Sequence, residues 1–222
     1  MNRSRQRRDD EKEQRREAII DAAVAVFHAQ GFEAAKMEDV ARAARISRAL
    51  VYLYFKNKAE LQFAICLRAL RTLHARMQAA VTQQSHGAAQ VLAIGRAYIA
   101  YAREEPAYFA ALSRFEAHQA GCGAEGSVEH AVLQAGIAVH QLTVATLHTG
   151  MRDGSIRDDI EQPMLVAMTL WAFTHGLIQI AQTKGEFLAD AGVAVDAILE
   201  QGLELALRGL QPAALPGRKK AR

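Results

Sequence analysis

The sequence has few of the residues that build disulfide-stapled or metal-bound folds. Its 222 residues include only two cysteines and four prolines. Cys66 and Cys122 form no CxxC pair, so we expect small apolar packing residues in a reducing compartment. The eight histidines also lack the close spacing of a zinc site, since His140 and His148 are eight residues apart. The sequence therefore predicts neither a bound metal nor a cofactor.

Membrane and export signals are missing as well. No stretch reaches the roughly 18 consecutive apolar residues that a membrane-spanning helix needs. Met1 to Arg16 is highly charged and lacks the apolar centre of a signal peptide. We therefore expect no membrane association and a cytoplasmic location. Because half of the residues are hydrophobic, the chain can bury a sizeable core, and its length suits one small and one larger domain.

The sequence shows no arrangement typical of catalysis. No nucleophile, base and orienting acid stand at a recognisable spacing, and no glycine-rich phosphate loop occurs. A helical-bundle enzyme with His140 or His175 as general base is an alternative, but we predict that the protein is not an enzyme and has no catalytic residues.

Charge is divided unevenly along the chain. Residues 1–60 contain 13 Lys and Arg against 10 Asp and Glu, whereas residues 61–217 contain 10 against 14. The end of the chain adds Arg218, Lys219, Lys220 and Arg222. An acidic body with basic ends suits a protein that offers one end to a polyanion such as DNA.

Apolar residues recur three and four positions apart along most of the chain, which predicts an all-α fold. A first helix at about 11–30 ends at Gly31, and a short second helix begins near Met37. Ser47 is a plausible N-cap for a third helix that ends at about Tyr54. Further helices are predicted at about 59–81, 89–105, from Pro106, and at 128–149, 162–183 and 190–210.

Residues 37–54 have the layout of a helix-turn-helix. This motif needs a supporting helix, a tight turn and a second helix whose exposed face enters a DNA major groove about 12 Å wide. The residues that can face inward are Val40, Ala41, Ala44, Ile46 and Val51. The residues left for the outer face are Arg48, Ala49, Leu50, Tyr52 and Tyr54.

The sequence around this motif resembles the tetracycline-repressor (TetR) family. The similar segments are AAVAVF at residues 22–27 with Gly31-Phe32, Asp39-Val40-Ala41, and ISRALVYLYFKNKAEL at residues 46–61. The resemblance implies an all-α homodimer with an N-terminal three-helix helix-turn-helix domain plus a C-terminal helical dimerisation and ligand-binding domain. It also implies a repressor that a small-molecule ligand releases from a palindromic operator in double-stranded DNA.

The resemblance assigns DNA contacts to the matching positions. Arg48, Ala49 and Leu50 stand where the family reads base edges, and Tyr52 and Tyr54 where it touches phosphates. Leu50 replaces a frequent threonine and favours a thymine methyl group. Arg45 stands where a turn glycine is usual, so either the turn is strained, since Arg is poorly suited to positive φ, or an extra cation faces the DNA backbone. The whole predicted DNA-binding set is Lys36, Arg45, Ser47, Arg48, Ala49, Leu50, Tyr52, Tyr54 and Lys58, in which both lysines are phosphate contacts.

The C-terminal part is similar to a TetR subtype marked by a Trp, His and Gly cluster, here Trp171, His175 and Gly176. In the family the last two helices commonly form the dimer interface, which implies a homodimer through about 162–183 and 190–210. A pocket for an unknown small molecule should lie between the helices of 89–149. The ligand-contact candidates are Tyr98, Tyr101, Tyr108, Phe109, Phe115, His140, Trp171 and His175. The alternative is packing in the dimer interface for Trp171 and His175, and ordinary core packing for the aromatic residues of 89–149.

These expectations divide the chain into three parts. Residues 1–60 form a helix-turn-helix DNA-binding domain whose first ten residues are a flexible basic arm, either solvated or in contact with DNA. Residues 61–210 form the helical ligand-binding and dimerisation domain, and 211–222 a disordered basic tail. A DNA-binding regulator without an effector ligand stays open as an alternative.

Overall fold

A computed structural model of the chain describes residues 3–117 and 123–212, and their regular secondary structure is entirely α-helical. The helices are α1 (Arg3–Gln30), α2 (Met37–Ala43), α3 (Arg48–Tyr54), α4 (Lys58–Thr82), α5 (Gly87–Glu104), α6 (Pro106–Glu116), α7 (Val128–Asp153), α8 (Pro163–Thr183), α9 (Gly185–Asp190) and α10 (Val195–Arg208). The all-α fold class is therefore confirmed. Residues 213–222 of the predicted tail lie outside the described residues.

The helices form two compact units, each built from two chain segments. The described residues of the first unit fall within Met1–Thr72 and Glu104–Gly136, and those of the second within Leu73–Arg103 and Ile137–Arg222. This division differs from the predicted boundary at residue 60. It differs because α4 continues without a break past that point and because α6 packs against α1 in the first unit.

Apolar residues at helical spacing build the core of the first unit. The fully buried members include Ile19, Ile20 and Ala23 of α1, Val40 of α2, Val51 of α3, Phe55, and Leu61 and Ile65 of α4. Because α2 and α3 are only seven residues long each, they depend on this shared core rather than on their own helix propensity. The core therefore fixes the position of α3.

α1 begins at Arg3, well before Glu11, where the apolar periodicity starts. Residues 3–10, predicted as part of a flexible arm, are thus helical. The physical reason is composition, since this stretch contains four arginines and Gln6, and Arg and Gln have good helix propensity. In addition, the Arg7 guanidinium donates to the Glu11 carboxylate one turn later, at 3.0 Å, a pair that supports a helix surface.

The last residue of α7 and Ser155, which follows that helix, cap the second unit's α5. The carboxylate of Asp153 accepts a hydrogen bond from the Gly87 N–H at 2.8 Å, and the Ser155 hydroxyl accepts one from the Ala88 N–H at 3.0 Å. Hydrogen bonds from Ser155 and from the Gly87 backbone lower the pKa of Asp153 to about 2. These contacts satisfy N–H groups that have no partner within the helix.

The last helices pack closely within the second unit. α8 has nearly the predicted extent, but the helix predicted at 190–210 begins only at Val195, as α10, and the short helix α9 precedes it. Gly192 lies between them with a φ of 72°, a left-handed conformation that a continuing helix cannot contain. A Cβ atom on Gly202 would lie 2.2 Å from a Leu177 methyl group, so this glycine permits the approach of α10 to α8.

Candidate functional site

A tight turn joins α2 to α3. Arg45 in this turn has a φ of 56° and is the one non-glycine residue with a left-handed backbone in the described part of the chain. The Ile46 N–H donates to the Ala41 carbonyl at 3.0 Å, which closes the turn. The Ser47 hydroxyl then accepts from the Leu50 N–H at 3.2 Å. Ser47 therefore caps α3, and the turn has the backbone that a glycine would normally supply.

α3 presents a mixed polar and apolar face to solvent. Arg48, Ala49 and Tyr52 are exposed, whereas Leu50 and Tyr54 are half-buried. Leu53, which was not among the predicted DNA contacts, is 78% exposed. Because it lies four residues after Ala49, helical spacing alone could have placed it on this face. The exposed surface of α3 is thus wider than predicted.

Arg48 is held in place by two neighbours. Its guanidinium lies 2.8 Å from the Glu38 carboxylate of α2 and 5.4 Å from the centre of the Tyr52 ring. Its side chain nevertheless stays 63% exposed. Glu38 was not among the predicted residues, because it lies ten positions away and meets Arg48 only after the turn folds. Arg48 is therefore both oriented and accessible.

The ammonium of Lys58, a predicted phosphate contact, is bonded to the protein's own backbone in this structure. Its ammonium donates to the carbonyl oxygens of Phe32, Glu33 and Ala35, at 2.6, 3.2 and 3.0 Å. An ammonium has three N–H donors, so these bonds use all of them. Lys58 instead fastens the α1–α2 loop to the start of α4.

Exposed cations surround α3 on the first unit. Lys36 is exposed before α2, and its backbone N–H donates to the Asp39 carboxylate at 3.1 Å. Arg45 is exposed in the turn. Arg42, also absent from the predicted set, is exposed and pairs with Asp39 at 3.2 Å. Because these side chains are already exposed, they can contact a polyanion without any rearrangement of the protein core.

The second unit encloses a small cavity with a volume of about 50 Å³. None of the described residues that line it carries a charge at neutral pH. They are Met77, Val91, Leu92, Ile94, Gly95, Tyr98, Val139, His140, Thr143, Ala167, Leu170, Trp171, Thr174, Leu203, Ala206 and Leu207. The cavity is therefore apolar, with a few polar side chains on its wall.

Four of the predicted ligand contacts cluster at this cavity. Tyr98, His140 and Trp171 line it. His175 lies next to them, because its Nδ1 atom and the Tyr98 hydroxyl share a 2.7 Å hydrogen bond. The Trp171 ring lies 5.4 Å from the His140 ring and 5.8 Å from the His175 ring. Burial lowers the pKa of both histidines, which favours their neutral form at neutral pH.

The other four predicted ligand contacts lie elsewhere. Tyr101 is fully buried beneath the Arg76 guanidinium and does not line the cavity. Tyr108, Phe109 and Phe115 belong to α6 in the first unit. There the Tyr108 hydroxyl accepts from Arg68 at 3.2 Å, and the Phe115 ring packs on Phe63 at 6.0 Å. Phe109 is buried, and Tyr108 and Phe115 are half-buried. α6 packs against α1, a placement that the aromatic spacing could not reveal.

α8 carries a row of exposed apolar side chains. Leu165 is 59% exposed, and Met168, Phe173 and Ile180 are between 40% and 47% exposed. Gly176 lies in the same row, and a Cβ atom there would meet nothing within 4 Å. By length and composition alone α8 could also cross a membrane, and 28% of its most apolar stretch is buried. The row thus needs a covering partner or an apolar surrounding.

The described residues contain no group of three or more His, Cys, Asp or Glu that could hold a metal ion. Cys66 is buried in the first unit, and its thiol donates to the Ala111 carbonyl at 3.4 Å. Burial raises the pKa of this thiol to about 12. Cys66 is therefore unreactive as a nucleophile, while Cys122 lies outside the described residues.

A supporting helix, a closed turn and a capped second helix with an exposed cationic and aromatic face define a helix-turn-helix regulatory protein. Residues 19–65 match the family model described as bacterial regulatory proteins, tetR family. Residues 91–206 match a tetracyclin repressor-like C-terminal domain. Since the matched regions span more than half of the chain, the protein belongs to the tetR family. Its assignment to the Trp-His-Gly subtype stays a prediction.

Individual relatives agree with this family. The HTH-type transcriptional regulator SrpR of Pseudomonas putida is 44% identical over 55 residues, which are 25% of this chain and 26% of SrpR. The match therefore spans about a quarter of that relative. A tetR-family regulatory protein from Rhodococcus RHA1 has a TM-score of 0.68 at 17% identity, over 90% of this chain and 98% of its own. FadR from Bacillus subtilis in complex with stearoyl-CoA has a TM-score of 0.68 at 17% identity, over 87% and 98%. At these identities the two structures show the fold alone.

Proposed function

We propose that the protein is a homodimeric cytoplasmic repressor that binds a palindromic DNA operator through α3 and is released by a small molecule in the second unit's cavity. The observation that carries the DNA-binding part is the exposed face of α3, held on a capped and closed helix-turn-helix. A regulator must keep such residues accessible while the core fixes their position.

Each exposed group has a role in DNA binding. Arg48 can donate two parallel hydrogen bonds to the O6 and N7 atoms of guanine in the major groove. Leu53 and Ala49 offer apolar contacts to thymine methyl groups. Lys36 and Arg45 supply charge to phosphates, a contribution that weakens as salt rises. Specificity is thus assigned to Arg48 and general affinity to the two flanking cations.

The test is retention of genome fragments by purified protein, followed by sequencing. The wild type should retain fragments that share a palindrome, whereas Arg48→Ala combined with Leu53→Ala should lose that enrichment. Both side chains are exposed, so circular dichroism should show a folded variant. Equal enrichment by the variant would contradict DNA reading through α3.

The exposed row on α8 supports the homodimer. Leu165, Met168, Gly176 and Ile180 follow each other at helical intervals and therefore lie on one face. Leu205 of α10 is 54% exposed and adds to the apolar surface of these two helices. A second copy would bury this surface by a two-fold contact, which is the commonest arrangement of soluble homo-oligomers. Membrane insertion is the competing explanation for α8.

Single charge substitutions test the dimer. Leu165→Glu and Ile180→Arg should shift the mass measured by light scattering from dimer to monomer, because each buries an unpaired charge. Phe187→Arg on α9 is the matched control, since Phe187 is 68% exposed but lies outside the row. A dimer that tolerates both α8 substitutions would contradict this interface, and recovery of the wild type in membranes would favour insertion.

The cavity supports the release mechanism. Ligand pockets usually have volumes of about 300–1,000 Å³, so the 50 Å³ cavity must expand when a ligand enters. Met77 on the cavity wall belongs to α4, the helix that begins at Lys58 in the first unit. We therefore assign α4 as the element whose displacement alters the spacing of the two recognition helices relative to half-sites about 34 Å apart.

A crosslink tests the assignment of α4. Cysteine pairs that fix the second-unit part of α4 to its neighbours should abolish the effect of a bound ligand on operator affinity. The same protein after reduction provides the control. An unchanged ligand response in the crosslinked protein would exclude α4 as the transmitting element.

A further inference from the structure

Two ion pairs join α5 to α10 in the second unit, and both lie at the surface rather than at the cavity. On α5, Arg96 pairs with Glu200 of α10, and Arg103 pairs with Asp196. All four side chains are at least 46% exposed, so these pairs lie at the surface. The residues on the cavity side of the same two helices are apolar or neutral. An ion inside the cavity would therefore have no counter-charge.

We infer that the cavity takes a compact, electrically neutral and mainly apolar molecule with one or two hydrogen-bonding groups. This inference rests on the proposed effector role of the cavity and names the chemical class of that effector. It excludes carboxylates, phosphates and ammonium compounds as the group bound inside.

The cost of removing an ion from water supports neutrality. A charged group loses its hydration on burial and regains it only from an opposite charge or several hydrogen bonds. The wall offers neither, because its polar side chains are few. Burial also lowers the pKa of His140, so protonation of this histidine does not supply a charge at neutral pH.

Two side chains on α7 can form hydrogen bonds to the polar group of the ligand. His140 and Thr143 both line the cavity and lie three residues apart, so they project from neighbouring turns of one helix face. An imidazole and a hydroxyl can each donate or accept a hydrogen bond. A ligand hydroxyl or carbonyl group between them would satisfy its hydrogen bonds without a charge.

The size of the cavity points to a compact ligand. A volume of about 50 Å³ holds a few water molecules, each of which needs roughly 10–15 Å³ by the same measure. Leu203 and Leu207 of α10 line the cavity one turn apart, and their flexible ends can move. Gly95 provides the room for Leu203, since a Cβ atom there would lie 2.6 Å from a Leu203 methyl group.

Trp171 makes the binding measurable. It is the single tryptophan of the chain and lines the cavity. Displacement of water or side chains beside its ring should therefore change its fluorescence. No label is needed, and no other residue contributes to emission excited at the red edge of tryptophan absorption.

Three cyclohexane derivatives of equal ring size test the inference. Cyclohexanol is neutral, cyclohexanecarboxylate is an anion and cyclohexylammonium is a cation at neutral pH, and none absorbs where Trp171 is excited. Cyclohexanol should change the emission saturably, with a Kd at least about tenfold lower than that of either ion, because only the ions lose uncompensated hydration. Equal or tighter binding of an ion, or no response to any of the three, would overturn the inference.

Variants locate the binding site. Leu207→Ala enlarges the cavity and should tighten cyclohexanol binding while keeping the discrimination against ions. Gly95→Ala should weaken binding, because it pushes Leu203 into the cavity. Gly136→Ala on α7 is the matched control, since its Cβ atom meets nothing within 4 Å. If Gly95→Ala does not fold, Leu207→Ala still decides, and an unchanged Kd in that variant would overturn the assignment to this cavity.

Operator affinity separates this inference from the proposed function. Cyclohexanol that binds beside Trp171 but leaves operator affinity unchanged at saturation would contradict the release mechanism and support the ligand class. An absence of binding, with operator recognition intact, would contradict the ligand class alone.

Discussion

Replacement of Arg45 by glycine should raise stability and weaken DNA binding at the same time. A left-handed backbone costs an L-residue about 1–2 kcal/mol, and Arg45 has a φ of 56°. Glycine removes this cost but adds conformational freedom to the unfolded chain, worth about 0.5–1 kcal/mol. The net gain in the free energy of unfolding should therefore be about 0.5–1 kcal/mol.

The same substitution removes one cation from the DNA-binding surface. Each phosphate contact contributes about 0.9 to the slope of log K against log salt concentration. A dimer that loses two such contacts should show a slope smaller by about 1.8. The measurements are urea denaturation followed by circular dichroism and fluorescence anisotropy of a labelled operator at several salt concentrations.

Arg45→Ala is the matched control, because alanine lacks the cation but keeps the backbone cost. It should reduce the salt slope as much as Arg45→Gly without the gain in stability. If both variants have the same stability, the backbone of this turn is not strained. If both keep the wild-type salt slope, Arg45 does not contact a phosphate.

Two further predictions concern Glu38 and the buried histidines. Glu38→Gln should reduce the preference for operator over random DNA by about threefold, since an exposed ion pair with Arg48 contributes up to about 1 kcal/mol. Competition binding measures the ratio of the two affinities. An unchanged ratio would mean that Glu38 does not position Arg48. Urea midpoints should fall as the pH drops below about 6.5, because the folded protein, with lowered pKa values for His140 and His175, binds fewer protons than the unfolded chain. The fall should be smaller in His175→Gln, and a midpoint that rises towards pH 5 would contradict it.

The helix-turn-helix was predictable from the sequence because its determinants are local. The Ser47 cap joins residues three positions apart. The left-handed backbone of Arg45 agrees with its place in the turn, where a glycine is usual. The spacing of apolar residues correctly placed Val40 and Val51 in the core. Such features depend on neighbouring residues along one helix or turn.

The features that were missed depend on contacts between distant residues. The carbonyl partners of Lys58 precede it by 23 to 26 positions, so its role as an anchor cannot be read from its position at the start of α4. The aromatic residues of α6 have the spacing of a helix face, but that spacing does not reveal which unit the face packs against. Phe109 and Phe115 were therefore assigned to a pocket that they do not line.

Selection of binding sites from random duplex DNA tests DNA reading by α3 most directly. The wild type and the control Arg152→Ala, which changes an exposed arginine at the end of α7, should both enrich a palindrome with a strongly preferred guanine in each half-site. Arg48→Ala should lose the preference at that base pair while it still binds random DNA. Enrichment of the same palindrome with the same guanine by Arg48→Ala, or no enrichment by the wild type, would contradict the proposal.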